Sequence, residues 1–286
     1  RLGPWVDLLK ILVLALLLFS APVAAAPKPD DGAAALRDPA RLVGIGDRAA
    51  AGGDLQTASG FYERALQIDP RYAPAARASA LAALQLGSAD MFAKVARWTS
   101  VAPTEPQAQL ALADALLRSG RAADASAPLK RAAELGAPAG QVDEREAVRL
   151  DLVGEPQRAQ QCYARALAEY PGDPRITQRM ALSLALSQDY AAALQLLQPL
   201  SSVPANDAML RQTLALVYAA AGQVDTAVDI LKTSVGDSDA QMIRPVLARI
   251  ASLPLPQRAE ALHFNRIPAR ALVQQAPTPS APVQTA

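Results

Sequence analysis

The chain has 286 residues, with 28 Lys plus Arg against 27 Asp plus Glu, one Cys and one His. That balance excludes a basic footprint for nucleic acid or anionic lipid. A lone Cys and a lone His exclude an internal disulfide and a histidine-based metal cluster.

Arg1 and Lys10 flank the apolar run 11–19, ILVLALLLF, and the small residues Ser20-Ala21-Pro22-Val23-Ala24-Ala25-Ala26 follow it. A basic start, a short apolar core and a small-residue site predict a secretory signal peptide over 1–26, cut after Ala25. The alternative is an uncleaved N-terminal anchor, although a membrane span needs about 20 apolar residues. No Cys follows the run, so no lipoprotein attachment site is predicted. The expected location is the periplasm, with membrane contact only through this segment if it stays uncleaved. Residues 27–38, PKPDDGAAALRD, are proline-bearing and aperiodic and read as a linker.

From 39 to 240 a turn signal recurs. Gly53, Gly87, Gly120, Gly154, Gln188 and Gly222 follow one another at steps of 34, 33, 34, 34 and 34 residues. Ala58, Ala125, Ala159, Ala193 and Ala227 each lie five residues after a turn residue. Between the marks the chain is rich in Ala and Leu, and only 4% of all residues are aromatic, which suits closely packed helices and not sheets. A period near 34 with helical composition predicts stacked helix–turn–helix units, at about 39–72, 72–105, 106–139, 140–173, 174–207 and 208–240.

In the first unit Leu42, Ile45 and Gly46 share one helical face, then Ala58, Tyr62, Ala65 and Leu66 form the inner stripe of the second helix. Asp69-Pro70 ends it, because proline cannot donate the next backbone hydrogen bond. The fourth unit repeats the layout with Ala147, Leu150, Ala159, Tyr163 and Ala166. The second unit is degenerate: Phe92 stands where the others carry Ala, so either the two helices spread or the register slips. Residues 241–273 predict capping helices, with Pro245 near a helix start or at a kink. Residues 274–286, rich in Pro, Gln, Ser and Thr, predict a disordered tail.

These recurring small residues and turns resemble the tetratricopeptide repeat family. The resemblance implies an all-α, right-handed solenoid of about six helix–turn–helix repeats. It further implies a groove that binds protein segments and is lined by one face of each unit's first helix. Carried over by position, that face comprises Leu110, Asp114, Leu117 and Arg118 in the third unit and Gln141, Glu144, Val148 and Asp151 in the fourth. Arg175, Gln178, Leu182 and Leu186 continue it in the fifth, and Met209, Gln212 and Leu216 in the sixth. The last two units are unusually apolar for exposed positions. Either a partner covers those leucines, or the chain's own C-terminal segment does.

The remaining reactive groups read as structural. Cys162, in a second helix, has no base or second thiol beside it in sequence, and His263 lies between Leu262 and Phe264 as a packing or surface histidine. The run Asp143-Glu144-Arg145-Glu146 reads as a solvated helix end. No zinc-protease pair, phosphate-cradling loop or nucleophile elbow is present in the sequence. Neither catalysis nor a cofactor is therefore expected. The expected role is a protein-binding scaffold, with a protein partner and no nucleic acid.

An Ala-rich array behind a signal peptide, ending in Arg258-Ala259-Glu260-Ala261-Leu262-His263-Phe264, is also similar to the TadD-like accessory proteins of tight-adherence (Flp-type) pilus assembly. That resemblance implies a role in assembling pilus secretion machinery, with the outer-membrane secretin as a partner. The alternatives are an adaptor for another envelope process, such as cytochrome maturation, polysaccharide export or peptidoglycan enzymes, or the accessory part of an enzyme whose catalytic domain lies elsewhere.

Overall fold

The computed structural model describes residues 37–202 and 207–266. The predicted leader and tail, and the linker up to residue 36, lie outside the described residues. Among the described residues all regular structure is helical, as the repeat pattern requires. The chain divides into two compact units, one up to Ala75 and one from Ala76.

The first unit is a helix hairpin. Helix α1 (Pro39–Ala51) begins where the Asp38 carboxylate accepts from the Ala40 amide, with proline at the first helical position. Helix α2 (Leu55–Ile68) begins where Asp54 accepts from the Thr57 amide at 2.9 Å. The helices approach through small residues: a Cβ on Gly46 would stand 2.5 Å from the Tyr62 ring. Tyr62 fills that space and donates to Asp47 Oδ1 at 2.9 Å. Burial, then the neighbouring carboxylate, pushes the Tyr62 hydroxyl up to about 12.

The second unit holds α3 (Ala73–Leu86, from its second turn onward), α4 (Met91–Val101), α5 (Pro106–Arg118), α6 (Ser126–Glu134), α7 (Ala139–Leu152) and α8 (Pro156–Glu169). It continues with α9 (Pro174–Leu186), α10 (Tyr190–Leu197), α11 (Asp207–Ala220), α12 (Val224–Val235), α13 (Asp237–Ile250) and α14 (Leu255–Phe264). From α4 to α13 each helix packs on the next, and α5, α7, α9, α11 and α13 also pack side by side as a row of first helices. Ala125, Ala159, Ala193 and Ala227 are fully buried where paired helices meet. Pro245 lies inside α13 instead of at its start. That helix stands beside α11 as the first helix of a further unit would.

Phe92 does not spread its hairpin. Helix α4 starts four residues after Gly87, whereas α2 starts two after Gly53. The register slips, Val95 and Trp98 take the buried positions, and Phe92 turns outward beneath the Arg121 guanidinium. Trp98 is held by an Nε1–H bond to Glu105 at 2.8 Å.

Each turn residue occupies the left-handed region, with φ from 62° to 86° at Gly53, Gly87, Gly120, Gly154 and Gly222. Gln188 is forced into the same conformation at φ 64°. A side chain there costs about 1–2 kcal/mol relative to glycine, offset in part by the extra freedom glycine has when unfolded. Gln188→Gly is therefore expected to raise the melting temperature by about 2–4 °C, read by circular dichroism. An unchanged or lower value would contradict this origin of strain.

Candidate functional site

The first-helix row of the second unit carries the candidate groove. Three cavities lie along it. An acidic-and-basic one of about 160 Å³ gathers Asp114, Leu117, Arg118, Glu144, Val148 and Arg175 of the predicted set, together with Arg145, Arg179 and Phe264. A second, of about 190 Å³, gathers Arg175, Gln178, Leu182, Met209, Gln212 and Leu216, with Leu262 and His263. The largest, about 540 Å³, lies among α11, α12, α13 and the end of α14 and is mainly apolar. It shares Gln212, Leu216 and Asn265 with the second. Leu110 and Leu186 are buried and line none of the three, and Gln141 lines none either.

The predicted leucines are not open. Leu117, Leu182 and Leu216 are buried, as are Glu144, Val148, Asp151 and Gln178. Part of the reason is α14, which packs on α7 and α9. Met209, 52% exposed, together with Arg175 and Gln212, remains accessible.

Polar order in the groove comes from residues that recur at the repeat period. Arg145 and Arg179 lie one period apart on α7 and α9. Arg145 meets Asp114 of α5 with both Nε and Nη2 at 3.0 Å, and Arg179 Nε stands 3.4 Å from Glu144. The run 143–146 is thus not a solvated helix end: Glu144 is buried and Arg145 links two units. Charge on this run marks cross-repeat pairing, which sequence adjacency alone conceals. Arg118 lies over the Phe264 ring at 5.8 Å, and burial pushes its guanidinium down from the ordinary arginine range.

Asp151 and His263 form the centre. Asp151, with no exposed surface, accepts from Ser183 Oγ at 2.7 Å and from the Tyr163 hydroxyl at 3.4 Å. His263 Nε2 lies 2.8 Å from Oδ2, the oxygen that Tyr163 also meets, while Ser183 holds Oδ1. Burial pushes the Asp151 carboxyl up, and the hydrogen bond from His263 is the largest opposing effect. Acid, imidazole and hydroxyl are all present, yet the carboxylate stands in the middle. Ser183 bonds the acid and not the imidazole, so His263 has no nucleophile to activate. The arrangement acts as a clamp between helices. The periodicity held a signal for it, because position 151 falls one period after Leu117 and one before Ala185, so a carboxylate occupies an otherwise apolar register.

Cys162 is buried and lies 3.1 Å from an Arg165 guanidinium nitrogen. Burial pushes its thiol above the ordinary range, against the pull of Arg165. The native chain is therefore expected to resist alkylation by iodoacetamide at pH 7.5, and to react once unfolded by urea. Equal rates in both states would refute this placement. Among the described residues no group of His, Cys, Asp and Glu is placed to hold a metal ion.

No protein-family model and no curated protein sequence matches this chain. Solved structures do. A chain of the APC/C hetero-tetramer Cut9–Hcn1 superposes with a TM-score of 0.61 at 17% identity over 75% of this chain, which spans 43% of that longer chain. A tetratricopeptide repeat protein from Parabacteroides merdae ATCC 43184 superposes with a TM-score of 0.63 at 14% identity, over 75% of this chain and 84% of that one. PilW, a widely conserved type IV pilus biogenesis factor, gives 0.59 at 19% identity, over 72% of this chain and 97% of its own. At such identities the likeness is one of fold, and the fold is that of the tetratricopeptide repeat.

Proposed function

We propose that the chain is a non-catalytic protein-interaction scaffold of the bacterial envelope, assisting assembly of a Flp/Tad-type pilus secretion machine. The observation that carries the scaffold reading is the apolar cleft among α11, α12 and α13, with Val235 and Val246 on its walls at 44% and 40% exposure. Exposed apolar surface of this kind, rimmed by Gln212, Ser234 and Asn265, is what a partner's side chains bury against. Each Leu- or Phe-sized side chain fully buried there contributes about 1.5–3 kcal/mol, and the rim amides and hydroxyl satisfy backbone groups of the partner. The likeness in fold to a pilus biogenesis factor, and the leader-like start of the chain, favour a pilus component at the envelope, with the outer-membrane secretin as the leading partner.

Replacing Val235 and Val246 together with Glu is expected to abolish capture of a pilus component from envelope extracts while leaving helical circular dichroism unchanged. Undiminished capture would move the contact to another surface. Deleting the gene in its own host is expected to remove surface fibres. Normal fibres would end the pilus reading and leave the scaffold reading standing.

A further inference from the structure

Helix α14 departs from the repeat order. After α13, the pattern calls for a second helix packed beside it. Instead α14 turns back and lies on α7 and α9, first helices of the fourth and fifth units. Its hold comes from a few side chains: Ala259, Ala261 and Leu262 are buried, Leu255 and Phe264 pack against the core, His263 reaches Asp151 across 112 residues of sequence, and Arg266 donates to the Arg118 carbonyl at 2.8 Å. The fit is also incomplete. His263 Nδ1 and Gln178 Nε2, from two residues that line one cavity, are buried without hydrogen-bond partners, and so is Arg258 Nε. Orphaned buried groups weaken the docking they belong to. At 10 residues and without a side-chain N-cap, α14 is below the length at which an isolated helix persists in water, so it depends on this docking.

We propose that α14 is a releasable internal ligand of the groove over α7 and α9. Its replacement is a short helix from a partner, one that offers an N–H donor to Asp151 beside an apolar side chain for Leu182. Release leaves the rest of the row paired, since α5, α7, α9 and α11 pack on one another without α14. Only the partner half of this inference rests on the scaffold reading above.

Hydrogen–deuterium exchange on the full chain tests the release. Amides of residues 255–264 are expected to exchange at least about 10-fold faster than the interior amides of α7 and α9. The substitution His263→Ala is expected to speed α14 by about a further 10-fold while α7 and α9 stay within about 3-fold of wild type. Exchange of α14 as slow as α7 and α9, or all three rising together in the variant, would overturn the proposal and make α14 a fixed part of the core. A second measurement addresses the groove. A fluorescent synthetic peptide of residues 253–266 is expected to bind the full chain carrying Leu262→Asp about 10-fold more tightly than wild type. No binding to the variant, with α14 exchanging fast, would sink the groove as a helix site. Neither measurement uses a pilus component or the Val235 and Val246 walls replaced in the capture experiment, although Ala261 of α14 and Asn265 at its end also line that cleft, so a failed capture leaves both outcomes readable.

Discussion

Asp151→Ala is expected to destabilise the second unit by about 3–5 kcal/mol, the range for breaking a buried pair by removing one partner. The carboxylate sits in the last turn of α7, where the helix dipole disfavours negative charge, and it has no contact with solvent. It is tolerated because Ser183, Tyr163 and His263 converge on it from α9, α8 and α14. Truncation leaves three buried polar groups facing a space the size of a carboxyl. Asp151→Asn keeps an acceptor for Ser183 and a group opposite His263, and is expected to lose only about 1–2 kcal/mol. Urea unfolding of both variants gives the comparison. If the Ala variant fell within about 1 kcal/mol of wild type, the cluster would be dispensable to the fold, and its retention would need another reason.

The architecture was legible because the backbone made it so. A left-handed turn residue every 34 residues, and an Ala where paired helices touch, are requirements of local geometry that sequence spacing carries directly. Gln188 was readable as a turn despite its side chain for the same reason. The register of the second repeat, at about 72–105, was open to two readings, because Phe92 disturbs the slot and the compensating shift to Val95 depends on the depth of the neighbouring packing. The site was legible only in part. Residue positions on the first helices followed from the period, but their exposure did not. Whether Leu182 faces solvent depends on where the last helix goes, and no repeat rule sets that for α14. His263 read only as a packing or surface histidine because its partner lies 112 residues away, and long-range pairing leaves no local signature. The charged run on α7 misled for a related reason: charges on a solvated helix face and charges that link neighbouring units have the same composition.

Ala159→Trp is expected to disrupt the fold more than any surface change on the same helix. Ala159 is fully buried between α7 and α8, next to Tyr163 and Ala166, which are equally sealed. Overpacking by even a methylene or two costs about 1–3 kcal/mol in a close-packed interior, and an indole is far larger. The neighbouring helices cannot simply part, because α8 is bounded by α7 on one side and α9 on the other. Moving α8 outward would also draw Tyr163 away from Asp151 and loosen the clamp that holds α14. The control is Ala164→Trp, at an exposed position of α8, expected to stay within about 0.5 kcal/mol of wild type. Both are read by thermal unfolding. The contrast is diagnostic because the two alanines are five residues apart on one helix and differ in facing. If both variants melted alike, the small-residue beat at 58, 125, 159, 193 and 227 would not be the contact that sets the helix spacing.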